Sequence, residues 1–279
     1  MRVMVSIVIV FIVAIGLFFW RQIDHRSDQV EMERLIALQP ISPLQFSKSM
    51  VADLPSSARR FFDFVIAEGT PLFTVAEIEM NGQFSLGSKE SPNYLDMKAV
   101  QILAPPHGFV WKMSGGSGLM HLSGSDAGAW TRFWIAGILP VARLGGDVDH
   151  ARSAFGRYAA ESAFWAPASL LPQFGVAWTM VDDDTARFTM ERDGIVQDVE
   201  ITLDEQGLPV RVEFERWSNA NADGVHRLQP FGGFLSEFRE FQGFHLPTNI
   251  EAGNFFGTDD YFPFFIVDVT DVRFPQPEK

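Results

Sequence analysis

No cysteine occurs among the 279 residues of this chain. That excludes disulfides, thiolate nucleophiles, cysteine-based zinc sites and a lipid-modified N-terminal cysteine, and it leaves the redox compartment open. Tyrosine is scarce as well, with 3 residues against 27 Phe and 7 Trp. Phe supplies apolar area without a hydroxyl that needs a partner. The bias therefore favours very dry surfaces, either a large β core or an acyl-binding hollow. Positive charge is also short, 22 Lys and Arg against 35 Asp and Glu, for a formal net charge of −13. Such a balance opposes nucleic acid and anionic lipid faces as bulk partners, because phosphates reward Lys and Arg.

The usual signatures of catalysis are missing too. Of the six His, at 25, 107, 121, 150, 226 and 245, none forms an H-x-x-x-H or H-E-x-x-H pattern; exposed or singly bonded imidazoles are expected, with no metal and no cofactor. The stretch "GGSGL" at 115–119 lacks the last glycine of a nucleophile elbow and reads as a loop. Asp182 to Asp184 read as an acidic hairpin turn, and Asp126, Asp259 and Asp260 as loop acids. A carboxylate pair for glycoside hydrolysis remains an alternative among 35 acidic residues, but spacing selects none. No catalytic residue is named, and an enzyme is the lesser expectation.

What the sequence does contain begins with one long apolar run. Val3 to Trp20 covers 18 residues, thirteen of them Val, Ile, Leu or Phe, with Ser6 the clearly polar exception. As a helix this run is about 27 Å long, close to the ~30 Å hydrocarbon layer of a bilayer. It ends in Phe18, Phe19, Trp20 and Arg21, all bulky, where a cleaved signal would place small residues. An uncleaved anchor is expected, with the membrane as partner through residues 3–20. Arg2 before the run and Arg21 and Arg26 after it leave the orientation undecided by charge counting.

Residues 27–38 can continue as a helix before Pro40 and Pro43 interrupt it, which suggests a stalk. Ala58, Phe61, Phe62, Val65 and Ile66 then fall at i, i+3, i+4, i+7 and i+8 and lay one apolar stripe along a helix. Ser56 caps its start in this reading, and Gly69 with Pro71 ends it. Beyond residue 70 the text alternates apolar and polar positions in about ten runs, with turn punctuation at Asn81-Gly82, Asp182–Asp184 and Asp204–Gly207. This predicts an antiparallel sheet that curls. The domain plan is an anchor at 1–21, a stalk or linker at 22–52 and a β domain at 53–279.

One further helix is predicted from Asp147 or Asp149 to about Phe164, stopped by Pro167. On it, Arg157, Glu161 and Phe164 or Trp165 share a face, since their spacings are three or four. Two readings compete. One is a surface ion pair contributing only ~0.3–0.5 kcal/mol. The other puts Arg157 and Glu161 at the rim of an apolar pocket, anchoring the edge of a lid or a ligand head group. In the second, Phe155, Phe164, Trp165 and Trp178 supply wall, with Trp111, Phe133 and Trp134 added from strands.

These residues also carry a resemblance. Leu54-Pro55, Gly69-Thr70-Pro71, Pro106 through Phe109 to Trp111, Arg157-Tyr158, Ala160-Glu161, Trp165, Pro167, Gly207-Leu208-Pro209 and Gly243 through Pro247 follow one another in an ordered set. In that order the chain resembles a bacterial family of unknown function over roughly residues 53–274, and through it the lipoprotein-localisation (Lol) carriers. The resemblance implies a mainly β (α+β) fold, a curved antiparallel half-barrel of about ten strands with lid helices, here preceded by one N-terminal transmembrane helix. It also implies a domain outside the cytoplasm, periplasmic on a bacterial inner membrane, and a hydrophobic or lipid-like ligand, with no characterised activity. Keeping the span separates this chain from a soluble carrier and favours ligand handling beside the bilayer. The rival expectations are a protein-interaction module that receives a partner's segment in the same concavity, and an unrecognised hydrolase using loop acids or Glu161.

Overall fold

The structure, a computed structural model, describes residues 2–276. It opens with α1, Arg2–Ile36, followed by a short amphipathic helix α2, Ser56–Val65. Six strands come next: β1 (Ala76–Ser85), β2 (Tyr94–Ala104), β3 (Gly108–Gly115), β4 (Leu122–Ala127), β5 (Trp130–Ile135) and β6 (Leu139–Gly145). The helix α3, Val148–Trp165, separates them from β7 (Ala177–Met180), β8 (Thr185–Arg192), β9 (Ile195–Leu203), β10 (Pro209–Ser218), β11 (Arg227–Phe241), β12 (Phe244–Asn254) and β13 (Phe262–Arg273).

All thirteen strands belong to one antiparallel sheet in the order β6-β5-β4-β3-β2-β1-β13-β12-β11-β10-β9-β8-β7. The chain meanders from β1 out to one edge, crosses to the opposite edge, and meanders back until β13 pairs with β1. The register of that closing pair runs from Glu77 opposite Arg273 to Phe84 opposite Phe265, with a bulge at Glu79/Met80. The crossing element is α3. It packs on β9, β10 and β12 from the returning half and on β2, β3 and β6 from the outgoing half. One helix can touch both halves only if the sheet bends around it, so the sheet is a half-barrel and α3 spans its hollow.

The predicted class therefore stands, with thirteen strands where about ten were expected. The excess comes from short strands whose text does not alternate cleanly. They are β4 and β6, which flank the expected β5 in glycine- and proline-bearing sequence, and the four-residue β7. The expected turn at Asn81-Gly82 lies inside β1 instead. A Cβ at Gly82 would sit 2.2 Å from the Ile266 carbonyl oxygen. This glycine serves close approach to β13 rather than chain reversal.

Helix α2 buries Ala58, Phe61, Phe62 and Val65, the stripe read from its spacing. It lies against β7, β8 and β12. Ile66 leaves the helix to bridge Phe244. The start differs from expectation, because Ser56 is already helical and makes no cap. Helix α3 begins as predicted, with the Asp147 carboxylate accepting from the His150 amide at 2.8 Å.

The segment read as a stalk behaves differently. Helix α1 is continuous, and its second half lies along the outer face of β2 and β3. The Asp24 carboxylate accepts from Arg132 at 3.1 Å, Trp134 Nε1 at 2.8 Å and Arg143 at 2.6 Å. Ser125 Oγ donates to Asp28 at 2.7 Å, and Leu35 is fully buried with Val75, Ile102 and Val110 in a second, smaller core. Beyond the helix, Gln39 donates to the Val75 carbonyl at 2.8 Å and accepts from the Thr74 and Val75 amides. Residues 21–39 are thus fixed to the sheet rather than standing clear of it. The reason is that Asp24, Asp28 and Leu35 recur one or two helical turns apart and meet complementary groups on the strands. The first half of α1 is long and apolar enough to cross a membrane by length and composition.

Candidate functional site

Beneath α3 the half-barrel is not filled. A cavity of about 220 Å³ lies between the helix and the concave face of the sheet. The sheet contributes Phe84 from β1, Trp111 from β3 and Phe133 from β5, together with Phe214, Phe231 and Phe265 from β10, β11 and β13. The helix contributes Arg157, Ala160, Glu161, Phe164 and Trp165. Alternation explains the wall, because on each strand every second side chain points to one face. The helix leaves the hollow open because its inward positions include small residues such as Ala160, which cannot reach across.

Six of the nine residues singled out from sequence line this cavity: Arg157, Glu161, Trp165, Trp111, Phe133 and Phe164. The other three lie elsewhere. Trp178 is packed under α2, 5.2 Å from Phe62 and 5.3 Å from Phe188 by ring centroids, with Nε1 donating to the Leu170 carbonyl. Trp134 faces the outside, donating to Asp24 on α1 and standing edge-on to Trp20. Phe133 and Trp134 take opposite faces of β5, as alternation along a strand favours, so the first lines the hollow and the second lies against α1. Phe155 packs edge-on against Tyr158 in the middle of the helix, 5.2 Å apart, and is 2% exposed.

The Arg157–Glu161 pair is not a surface pair. Arg157 Nε donates to Glu161 Oε1 at 2.7 Å, Nη1 to Asp126 Oδ2 at 2.6 Å, and Nη2 to Gln101 Oε1 at 3.1 Å. Gln101 returns a 2.6 Å bond to Glu161 Oε2, and Thr131 Oγ1 donates to Asp126 Oδ1. The guanidinium also stacks over Phe109 at 4.5 Å. Burial disfavours the Arg157 cation, but the Glu161 and Asp126 carboxylates outweigh it and hold its pKa above the ordinary arginine value. Buried charge of this kind is costly unless it is fully bonded. Glu161 has both oxygens engaged, by Gln101 of β2 and by Arg157, which in turn ties the helix to Asp126 of β4, so Glu161 is poorly placed to take a proton from a substrate.

Asp126 corrects the sequence reading, since it is the second carboxylate of this network and no loop acid. Asp182, by contrast, does cap the β7–β8 turn, accepting from the Asp184 and Thr185 amides at 2.9 and 2.7 Å. Among the described residues no cluster of His, Asp and Glu is arranged to hold a metal ion.

Sequence reasoning missed Arg216. It lies two residues beyond Phe214 on β10 and lines the cavity with it. The signal was available: Val212, Phe214 and Arg216 share one face, and the third breaks the apolar pattern. Its guanidinium is 4.8 Å from the Phe231 ring. Desolvation, with Arg157 adding repulsion, pushes its pKa down to about 10.

Compared with known proteins, the chain belongs to a family of unknown function, DUF6544, whose model matches residues 44–266. No curated protein matches it. Among solved structures it is similar to a LolA superfamily protein from Nitrosomonas europaea, at 10% identity over 81% of this chain and 90% of that one, TM-score 0.34. A domain named for outer-membrane lipoprotein sorting, from Vibrio parahaemolyticus, is similar at 10% identity over 74% and 87%, TM-score 0.36. A DUF1329 family protein from Desulfovibrio piger follows at 12% over 72% and 85%, TM-score 0.30.

Proposed function

Within this family of unknown function, we propose that the chain is a membrane-tethered binding protein holding one hydrophobic, lipid-like ligand in the hollow beneath α3. The observation that carries the reading is the cavity itself: about 220 Å³, walled by phenyl and indole rings, under a helix tied down at Arg157. One water needs about 10–15 Å³ on this scale, so the space takes on the order of fifteen water-sized groups. That suits a single acyl chain better than a bulky multi-chain lipid.

Residues 3–20 act as the anchor in this proposal, and the sheet domain lies outside the cytoplasm of a bacterial inner membrane, as the resemblance to Lol carriers implies. The bulky, aromatic end of the run supports retention of the helix, and the docking of residues 21–39 holds the domain at the bilayer instead of on a loose tether. Reporter fusions after residue 279, read on both sides of the membrane, test the placement. Ligand handling is tested by extracting the full chain with its surrounding membrane and analysing bound molecules by mass spectrometry. Enrichment of a single-chain amphiphile over the bulk lipid supports the reading. A chain that carries nothing, and takes up no fluorescent acyl probe, overturns it.

A further inference from the structure

Three donor nitrogens on cavity-lining residues are buried without a hydrogen-bond partner: Trp111 Nε1, Trp165 Nε1 and Arg216 Nε. Among the described residues the Arg216 side chain makes no hydrogen bond and no ion pair. The contrast with Arg157 is sharp, since that guanidinium has carboxylates at 2.6 and 2.7 Å. Every unsatisfied group at this cavity is a donor that cannot accept. A buried donor left unpaired is costly, and more so when charged, so the arrangement lacks an acceptor.

We propose that Arg216 recognises the oxyanion head of an amphiphile, a long-chain carboxylate or phosphate monoester, whose chain fills the aromatic hollow. This rests on the ligand-binding reading above. The lining offers both halves of such a ligand a place: phenyl walls at Phe84, Phe231 and Phe265 for the chain, and the Arg216 guanidinium, 4.8 Å from the Phe231 ring, for an acceptor. Asp126 and Glu161 belong to the same lining, but both are taken up by Arg157, which leaves Arg216 as the cation an incoming anion can pair with. The depressed Arg216 pKa still keeps it charged at neutral pH.

The test uses the full chain in nanodiscs of zwitterionic lipid, with empty discs subtracted. Radiolabelled hexadecanoate, hexadecyl phosphate and hexadecanol are titrated in turn. The expected result is a preference of about 10- to 100-fold for the charged heads over the alcohol, the range of one charge-assisted bond. Arg216→Met should abolish that preference, bringing hexadecanoate and hexadecyl phosphate down to the level of hexadecanol, and Arg216→Lys should restore part of it. Equal binding of all three by the wild type overturns the inference and leaves the binding reading standing; no binding of any overturns the binding reading. Should Arg216→Met fail to fold, the wild-type ratio and Arg216→Lys still decide.

A second observation stands apart from the cavity. Ile138 and Leu139 at the β5–β6 turn are 55% and 57% exposed, and Leu119 and Met120 in the neighbouring loop are 85% and 66% exposed. The two segments are joined by a 2.7 Å bond from the Ala136 amide to the His121 carbonyl. Arg21, the first residue past the apolar run, donates to the Gly137 carbonyl at 2.8 Å. We infer that these four side chains enter the head-group region of the same bilayer that α1 crosses, a second contact that fixes the tilt of the domain. The inference rests on the anchoring reading.

Absence of native cysteine permits single-site labelling. Fluorophores at Ile9→Cys, Ile138→Cys and Ile41→Cys, the last exposed near the far end of α1, are tested in liposomes containing lipid-borne quencher. Quenching at 9 and 138 but not 41 supports the contact. Quenching at 9 alone overturns it, and no quenching at 9 overturns the anchor.

Discussion

The two ends of the hollow are built from the same kind of residue and are packed differently. Under α2, Phe61 and Phe62 meet Trp178 and Phe188 with ring centroids 5.1 to 5.7 Å apart, and Phe61, Phe62 and Phe188 are fully buried. Under α3, Trp111 stands 5.8 to 6.3 Å from Phe84, Phe265 and Phe133, and a cavity remains between them. The helices make the difference. Helix α2 presents a stripe of Phe and Val to the sheet, whereas α3 sets the polar Arg157 and Glu161 and the small Ala160 beside its Phe164 and Trp165. Phenylalanine content therefore says that a dry interior exists, and the facing helix says whether it is full.

The largest expected break in this comparison comes from the packed end. Phe62→Ala should cost about 3–5 kcal/mol in chemical denaturation, because interlocked neighbours cannot close the gap. Phe265→Ala, whose ring already borders empty space, should cost under about 1.5 kcal/mol, since few contacts are lost. Equal losses would show that the hollow is collapsed in solution.

The two arginines sharpen the same contrast. Arg157→Ala strands the Asp126 and Glu161 carboxylates in a buried site and should cost about 3 kcal/mol, measured by denaturant midpoint. Arg216→Met removes a partly buried cation that has no ion-pair partner and feels the Asp126 and Glu161 carboxylates only from a distance. It should leave stability unchanged or raise it by about 1 kcal/mol at pH 7. Its folded pKa, down to about 10, sets the sign: the cation is disfavoured on folding at every pH below that value, and the penalty fades as pH rises through it.

Next in size is a filled cavity. Ala160→Leu should raise stability by up to about 1 kcal/mol and cut acyl-probe binding by roughly tenfold or more, because new methyl groups occupy the space proposed for the acyl chain. The smallest effect is expected at the surface. Replacing Asp183, exposed in the β7–β8 turn, by Ala should stay within about 0.5 kcal/mol and leave binding untouched.

Legibility followed the range of the interactions. The α2 stripe and the Asp147 start of α3 were readable because their signals repeat within a few residues. Six cavity residues were also found, since Arg157, Glu161, Phe164 and Trp165 share one helix face and Trp111 and Phe133 stand out by size. Trp134 and Trp178 were misplaced because size does not report which face of a strand a residue takes. Asp126 and Gln101 were invisible as partners of Arg157, being 31 and 56 residues away along the chain. Arg216 was visible as a broken alternation and was passed over.

By itself the sequence determined the class of this protein: alternating strands, two amphipathic helices and an N-terminal apolar run, each encoded by local period and composition. The tertiary structure alone decided that β13 pairs with β1, that α3 crosses from edge to edge, and that space is left beneath it. Those outcomes depend on how a thirteen-stranded sheet bends and registers across long separations. A hollow is a property of surfaces that fail to meet, and no single segment records that.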